Sequence, residues 1–345
     1  MIGLVKYACG EGNMEIRDVP EPTVGKKQVK IEVKATGICG SDIHIYHDDI
    51  AIALNPPVII GHEFSGFISE VGEETAEWKV GDRVTSELGF EVCGSCDPCR
   101  CGFPNLCDNR RSVGYWYNGA FTKYVVVPAC GVHRLPSNLT FREGALIEPL
   151  ACVVHAVLEL THITAGDVVL ITGPGAIGLS AMQVAKAHGA AVVVAGTESD
   201  ATRLDLAKKL GADLCVNSGE DDLLKAIYGL TDNRGADIVL ECSGNERAIN
   251  TALLAIKKRG QYTQIGLFGK PVTVDIEQVC YKEIKLTGSL GQRWSSWEKA
   301  IQLVSQAKVK LNPLISHVLS ITEWKKAFQM FEEQKAIKII LIPEK

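Results

Sequence analysis

The sequence predicts an α/β chain in two parts, one mostly β and one built on a doubly wound parallel sheet. Three observations predict it. The first third is a series of short β-type runs broken by Gly and Pro. From about Gly166 the pattern alternates strand and helix. A glycine-rich turn stands between the first strand and the first helix of that alternation. At 345 residues the chain is long for one domain and comfortable for two.

Taken in order, the runs QVKIEVKATGICG, GHEFSGFISEVG, GDRVTSELGF and AFTKYVVVPA read as strands. Pro56-Pro57, Gly72 and Gly81-Asp82 mark loops between them. The run DVVLITG is continuously apolar, as a strand covered on both faces should be. GLSAMQVAKAHGA then reads as a helix that stops at a glycine. AVVVAGTE, DATRLDLAKKLGAD, LCVNS, DDLLKAIYGL, ADIVLECSG, NERAINTALLAIKKRG and QYTQIGLFG continue the alternation, which implies a parallel sheet with right-handed crossovers. The alternation ends near Thr287-Gly288. WSSWEKAIQLVSQAK and TEWKKAFQMFEEQK read as helices and AIKIILIP as a last strand.

Composition excludes several function classes. Apolar residues make up 46% and charged residues 22%, the ordinary globular mix. A net charge of −5 carries no basic excess for nucleic acid. No run approaches the roughly 18 apolar residues that span a bilayer. The start shows no basic segment followed by a long apolar one, so the expected location is the cytoplasm. The 12 cysteines are then poorly explained as a secreted disulfide scaffold.

Gly173-Pro174-Gly175-Ala176-Ile177-Gly178 matches G-x-G-x-x-G, and it follows a strand and opens a helix, which makes it informative. The first glycine permits a tight turn, the second a close approach to a pyrophosphate, and the third helix–strand packing. The free N–H groups of the helix start attract phosphate. Glu198, after the next strand, stands where an acid binds ribose hydroxyls and disfavours the 2′-phosphate of NADP. Asp200 competes for that role, and Arg203 would favour a phosphate. NAD is preferred and NADP remains possible.

Cys93, Cys96, Cys99 and Cys107 place four thiols in one short Gly- and Pro-rich lobe, residues 89–110. Four sulfurs suit tetrahedral zinc with no open position, a structural site. An iron–sulfur cluster is the rival, and Cys101 is a bystander. Cys9, Cys130, Cys152, Cys215, Cys242 and Cys280 are expected to be mostly small buried apolar residues. Cys39 in GICGSDIH, His62-Glu63 after Gly61, and Glu148 in LIEPL are each weak alone, although an unpaired buried carboxylate is costly.

Together these segments resemble the zinc-containing medium-chain dehydrogenase/reductase superfamily. The resemblance covers essentially the whole chain. It implies a GroES-like β-rich catalytic domain, residues 1–150 and 288–345, interrupted by a Rossmann dinucleotide-binding domain, residues 151–287. It implies two zinc ions per subunit, the lobe holding the structural one. Cys39 and His62 match catalytic ligand positions. Glu148 occupies the third; in the sorbitol dehydrogenase branch the glutamate matching Glu63 can ligate directly while the one matching Glu148 holds the zinc water, so their order stays open. Cys152 is a rival ligand. Ser41 matches the residue that takes the hydroxyl proton, and His44 the one that passes it outward.

The stretch from Glu148 to Ala156 resembles polyol dehydrogenases, with His155 as a packing residue. Threonine dehydrogenases are similar near Cys39 but usually carry a Gly-Asn-Ala-Val stretch that is missing here. The chain also resembles bacterial D-arabitol-phosphate and related polyol or polyol-phosphate dehydrogenases, through Arg83 to Glu87, Asn109 to Arg111, Glu148 to Cys152 and Ser295 to Trp297. A phosphorylated substrate needs a cationic clamp, for which Arg110, Arg111 and Arg293 are candidates. The tyrosine that polyol enzymes carry is displaced by one, with Ile45 before Tyr46, and no role is transferred to it. The resemblance also implies a homo-dimer or homo-tetramer, with contact around residues 261–285. The alternatives are a threonine or simple alcohol dehydrogenase, a zinc-free reductase, and a non-catalytic zinc- and nucleotide-binding protein.

Overall fold

The computed structural model describes residues 1–219 and 221–344. Two compact units form, one of Met1–Pro149, Arg293–Ile301 and Ile315–Lys345, the other of Leu150–Gln292 and Gln302–Leu314. Leu150 and residues 288–292, expected in the β-rich part, fall in the second unit, as do residues 302–314. The structure ties the latter to the parallel sheet's helix Ala176–Ala187, where the Gln183 side chain accepts from Lys310 N at 2.8 Å and donates to Lys310 O at 3.2 Å.

The first unit is organised by a seven-stranded sheet. Its central strand, Gln28–Gly37, pairs antiparallel with Glu63–Val71, Tyr124–Pro128 and the C-terminal strand Lys338–Ile342. Val29, Ile31, Phe64, Ile68, Val84, Val125 and Val127 alternate onto one face and are buried. Each such side chain contributes about 1.5–3 kcal/mol on leaving water. A helix that the sequence reading assigned partly to a strand, Gly40–His47, follows the central strand, and Cys39 is its N-cap. Tyr46 on that helix packs edge-on against Trp324 and Phe328, so its ring is a core element.

The second unit is a six-stranded sheet, parallel at every pairing. Its order is Leu214–Asn217, Ala191–Gly196, Val168–Thr172, Ala236–Glu241, Ile256–Gln264, Lys285–Gly288. Val169, Leu170, Ile171, Val192, Val193 and Val194 are essentially unexposed, which explains their uninterrupted apolar runs. The helix read through NERAINTALLAIKKRG stops earlier. Its helical part is Glu246–Ala255, and Ile256 onward pairs as strand. A β-branched residue at the junction and pairing partners in Ala236–Glu241 override helix propensity there.

The expectation that the scattered cysteines are mostly buried is corrected. Cys9, Cys130 and Cys280 are exposed, as is Cys101, and Cys152, Cys215 and Cys242 are half-buried. The exposed ones sit in a bend, a short 3-10 turn, a five-residue helix and the end of a short helix, where no second layer covers them.

Candidate active site and metal centres

Cys39, His62 and Glu63 converge, their ligand atoms all lying within 4.8 Å of one another. The sheet brings them together. Gly37 is the register partner of both Glu63 and Ile340, so the chain entering Cys39, the strand starting at Glu63 and the C-terminal strand lie side by side. A Cβ at Gly37 would collide with Glu63 Oε2 and approach Lys338 Cε at 3.1 Å. Gly61, at φ 90°, supplies the left-handed turn that aims His62 inward.

Three residues that sequence reasoning missed complete the site. Asp42 is fully buried; its Oδ2 accepts from Cys39 N at 2.9 Å, and its Oδ1 stands 3.6 Å from His62 Nδ1. It thereby fixes the Cys39 backbone and sets a negative charge behind the His62 ring, where a metal-binding imidazole usually has an acid. Lys338 Nζ donates to Glu63 Oε1 at 2.5 Å and to Ile38 O at 2.8 Å. Tyr115 is buried, its hydroxyl 2.8 Å from Ser41 Oγ and 3.5 Å from His62 Nε2. An acid three residues after Cys39 at a helix start was the one local signal available. Tyr115 and Lys338 left none.

The electrostatics favour a cation. Burial opposes a charged His62 ring, yet Asp42, the Cys39 thiol and Glu148 outweigh it and raise its pKa to about 10. Burial pushes Asp42 up to about 6 despite His62. His62 Nδ1 and Asp42 Oδ1 are buried without a hydrogen-bond partner, and Glu63 Oε2 is neutralised only by Lys338 Nζ at 2.5 Å. Two acids, a thiol and an imidazole facing one another fit a divalent metal with N, O and S ligands. Glu148, on the helix Ile147–Val154, is buried and influences His62, Tyr115 and Lys338, but stands outside the converging three. Cys152 donates to Gln292 Oε1 at 3.5 Å. Ser41 and His44 share a face of their helix at i, i+3 spacing, with His44 exposed and 2.9 Å from Asp49.

The second cluster is Cys93, Cys96, Cys99 and Cys107, again within 4.8 Å. Backbone N–H groups of Ser95 and Cys96 lower the Cys93 thiol to about 6, whereas lost hydration and the Cys96 sulfur push Cys99 up to about 12. Four crowded thiols cannot all ionise without a cation among them, which fits zinc. Arg293 stacks on Phe103 of this lobe at 4.3 Å; Arg111 stacks on Trp116 at 4.2 Å and donates through Nη1 to the carbonyl of half-buried Arg110 at 3.2 Å. His155 pairs with Glu159 at 2.8 Å.

In the other unit, Gly173 takes φ 87°, and a Cβ there would meet Ser243 Cα at 2.8 Å. A Cβ at Gly178 would collide with Gly173 O, so helix and strand meet at backbone distance. Gly175 faces open space beside Pro174, Ala176 and Ile177 at the helix start, leaving room for a pyrophosphate. Exposed Glu198 begins the turn after Ala191–Gly196. Arg203 pairs with Asp200 at 2.9 Å, and Asp200 also accepts from Thr197 N.

An alcohol dehydrogenase GroES-like domain model matches residues 25–137, and a zinc-binding dehydrogenase model matches residues 176–306. The chain belongs to the zinc-binding dehydrogenases of the medium-chain dehydrogenase/reductase superfamily, and it is an enzyme of that class. It is 44% identical to a sorbitol dehydrogenase of Halalkalibacterium halodurans, over 99% of each chain. It is 42% identical to a D-arabitol-phosphate dehydrogenase of Enterococcus avium, over 99% of this chain and 97% of that one. An L-threonine 3-dehydrogenase of Bacillus subtilis is 38% identical over 95% and 94%. A protein of Sinorhizobium meliloti 1021, described as a zinc-binding dehydrogenase and solved with NADP, superposes with a TM-score of 0.91 at 30% identity over 99% of both chains.

Proposed function

We propose that the protein oxidises a secondary hydroxyl of a polyol or polyol phosphate, with NAD as the preferred hydride acceptor, to a ketose-type product. The observation that carries this reading is the convergence of Cys39, His62 and Glu63 beside Ser41. These three residues, with Glu148 close by, would hold the catalytic zinc, and Cys93, Cys96, Cys99 and Cys107 the structural one. Zinc supplies Lewis-acid polarisation of the alcohol oxygen, and the nicotinamide supplies the hydride acceptor.

The chain's own residues do the rest. Ser41 Oγ accepts the substrate hydroxyl proton as it releases its own in the direction of His44. Tyr115 hydrogen-bonds that oxygen and holds it in place. His44, one helical turn on, passes the proton toward solvent, where its exposed ring is paired with Asp49. Asp42, 3.6 Å from Nδ1, places a negative charge behind the His62 ring, whose Nε2 faces Ser41. Gly173, Pro174, Gly175, Ala176, Ile177 and Gly178 receive the pyrophosphate and Glu198 the ribose, while Arg203, held by Asp200, is drawn away from a 2′-phosphate. Arg110, Arg111 and Arg293 are candidates for a substrate phosphate, although the stacking of Arg111 and Arg293 on rings favours structural roles. Among the described residues no helix is long and apolar enough to cross a membrane, and the reading is of a cytoplasmic homo-oligomer acting on small molecules.

Threonine is the second substrate reading, supported by the 38% relative and weakened by its lower identity. The test is a spectrophotometric screen for NADH and NADPH formation with polyols, polyol phosphates, threonine and simple alcohols, with and without chelator. Chelator-sensitive NADH formation with a polyol or its phosphate is the expected result. Turnover of threonine alone would overturn it.

A further inference from the structure

We propose that Glu241 is a positioning residue for the nicotinamide half of the cofactor. It fastens together the ends of three adjacent strands over which that half crosses the sheet. The inference rests on the assignment of the dinucleotide to the Gly173–Gly178 turn.

The direction of the cofactor follows from strand order. The sequence order reverses between Val168–Thr172 and its neighbour Ala236–Glu241. Ligands of open parallel sheets lie in the crevice outside the carboxyl ends of the strands at that reversal. Glu198, for the adenosine ribose, follows the strand on one side of it. The pyrophosphate lies at the glycine turn in the middle. The remaining half of the dinucleotide must therefore extend over the ends of Ala236–Glu241 and Ile256–Gln264.

Glu241 is the last residue of its strand and is fully buried. Its Oε1 accepts from Thr172 Oγ1 at 3.1 Å, from Ser243 N at 2.8 Å and from Ser243 Oγ. Its Oε2 accepts from Gly244 N at 3.0 Å and Gln264 Nε2 at 2.5 Å. Thr172 ends the strand before the glycine turn, Ser243 and Gly244 begin the loop after Glu241, and Gln264 ends the next strand. The Glu241 carbonyl also accepts from Ile265 N at 2.8 Å and Gly266 N at 2.9 Å.

Packing alone does not call for a carboxylate here. An apolar side chain would close a strand end without the cost of burying an acid. Five neutral donors aimed at one group require an acceptor with several lone pairs and no competing proton, which among side chains is a carboxylate. The loops it holds touch at backbone distance. A Cβ at Gly244 would strike Leu267 O, one at Gly266 would strike Gly244 N, and one at Gly173 would crowd Ser243. A shift in the Ser243-Gly244 loop is therefore passed to Gly266 and Leu267, at the strand ends that the nicotinamide half crosses.

The test uses the full-length zinc-loaded enzyme and calorimetric titration with NAD⁺ and, separately, AMP, which fills only the adenosine end. Glu241→Gln presents an NH2 group to existing donors. It is expected to weaken NAD⁺ binding roughly tenfold or more while AMP affinity stays within about twofold. Thr172→Val removes one hydroxyl donor without changing shape and is expected to weaken NAD⁺ by a smaller factor, again sparing AMP. If Glu241→Gln does not fold, Thr172→Val decides. Unchanged NAD⁺ affinity, or NAD⁺ and AMP weakening together, would overturn the role of Glu241. Failure of AMP and NAD⁺ to bind the unaltered enzyme would instead overturn the dinucleotide assignment.

Discussion

Lys338 Nζ lies 2.5 Å from the Glu63 carboxylate, in a buried pair whose members are 275 residues apart in sequence. Lys338→Met leaves the acid buried without its cation. The metal-free protein is expected to lose about 3–5 kcal/mol of stability, measured by denaturant unfolding. Zinc should restore more of the midpoint in the variant than in the parent, because it replaces the missing charge beside Glu63. An unfolding midpoint equal to the parent's would remove this account of the pair.

Cys39→Ser and Cys96→Ser separate the two metal clusters. Cys39→Ser is expected to abolish turnover and bind one zinc per chain instead of two, with NAD binding and the thermal midpoint nearly unchanged. Cys96→Ser should lower the midpoint first, because a closed four-sulfur site contributes folding energy. Metal analysis with parallel thermal melts reads both. Full activity in Cys39→Ser would end the catalytic-metal assignment.

His47 joins the helix Gly40–His47 to the helix Trp324–Glu332, with Nε2 at 2.5 Å from Glu332 and Nδ1 at 3.3 Å from Glu11. Glu332, aided by Glu11, holds its pKa above the ordinary 6.5. A raised folded pKa means the pair's contribution is complete below the unfolded value and lost as pH rises through the folded one. The difference in thermal midpoint between the parent and Glu332→Gln should therefore be largest below about pH 6.5 and shrink above it. A difference independent of pH would refute the linkage.

Exposed Glu198 is the acid that would repel a 2′-phosphate, since Arg203 is paired with Asp200. Glu198→Ala is expected to raise the ratio of kcat/KM for NADP to that for NAD by about tenfold, equivalent to about 1.4 kcal/mol. An unchanged ratio would move the selectivity to another residue.

How far the site was legible depended on where its parts lie along the chain. The four-cysteine lobe was plain because all four thiols come from fifteen consecutive residues in one loop, whose closure depends on nothing distant. The glycine turn was plain for the same reason: strand, turn and helix are contiguous, and a left-handed φ at Gly173 needs a glycine locally. The misjudged helix end at Ile256 fell where pairing across the sheet, invisible in a window, outweighed local propensity, whereas the strand read through Cys39 stops at Gly37 because Asp42 caps a helix start there.

By itself, then, the sequence determined the two kinds of sheet, the strand–turn–helix at Gly173 and the gathering of four cysteines in one lobe. Periodicity and short spacings encode those directly. Only the tertiary structure decided that Asp42 backs His62, that Tyr115 meets Ser41, that Lys338 pairs with Glu63 and that Glu241 binds three strand ends. Those partners become neighbours through the antiparallel register at Gly37 and the parallel register at Glu241. A register is set by burial summed over whole strands and leaves no mark on the individual residues it brings together.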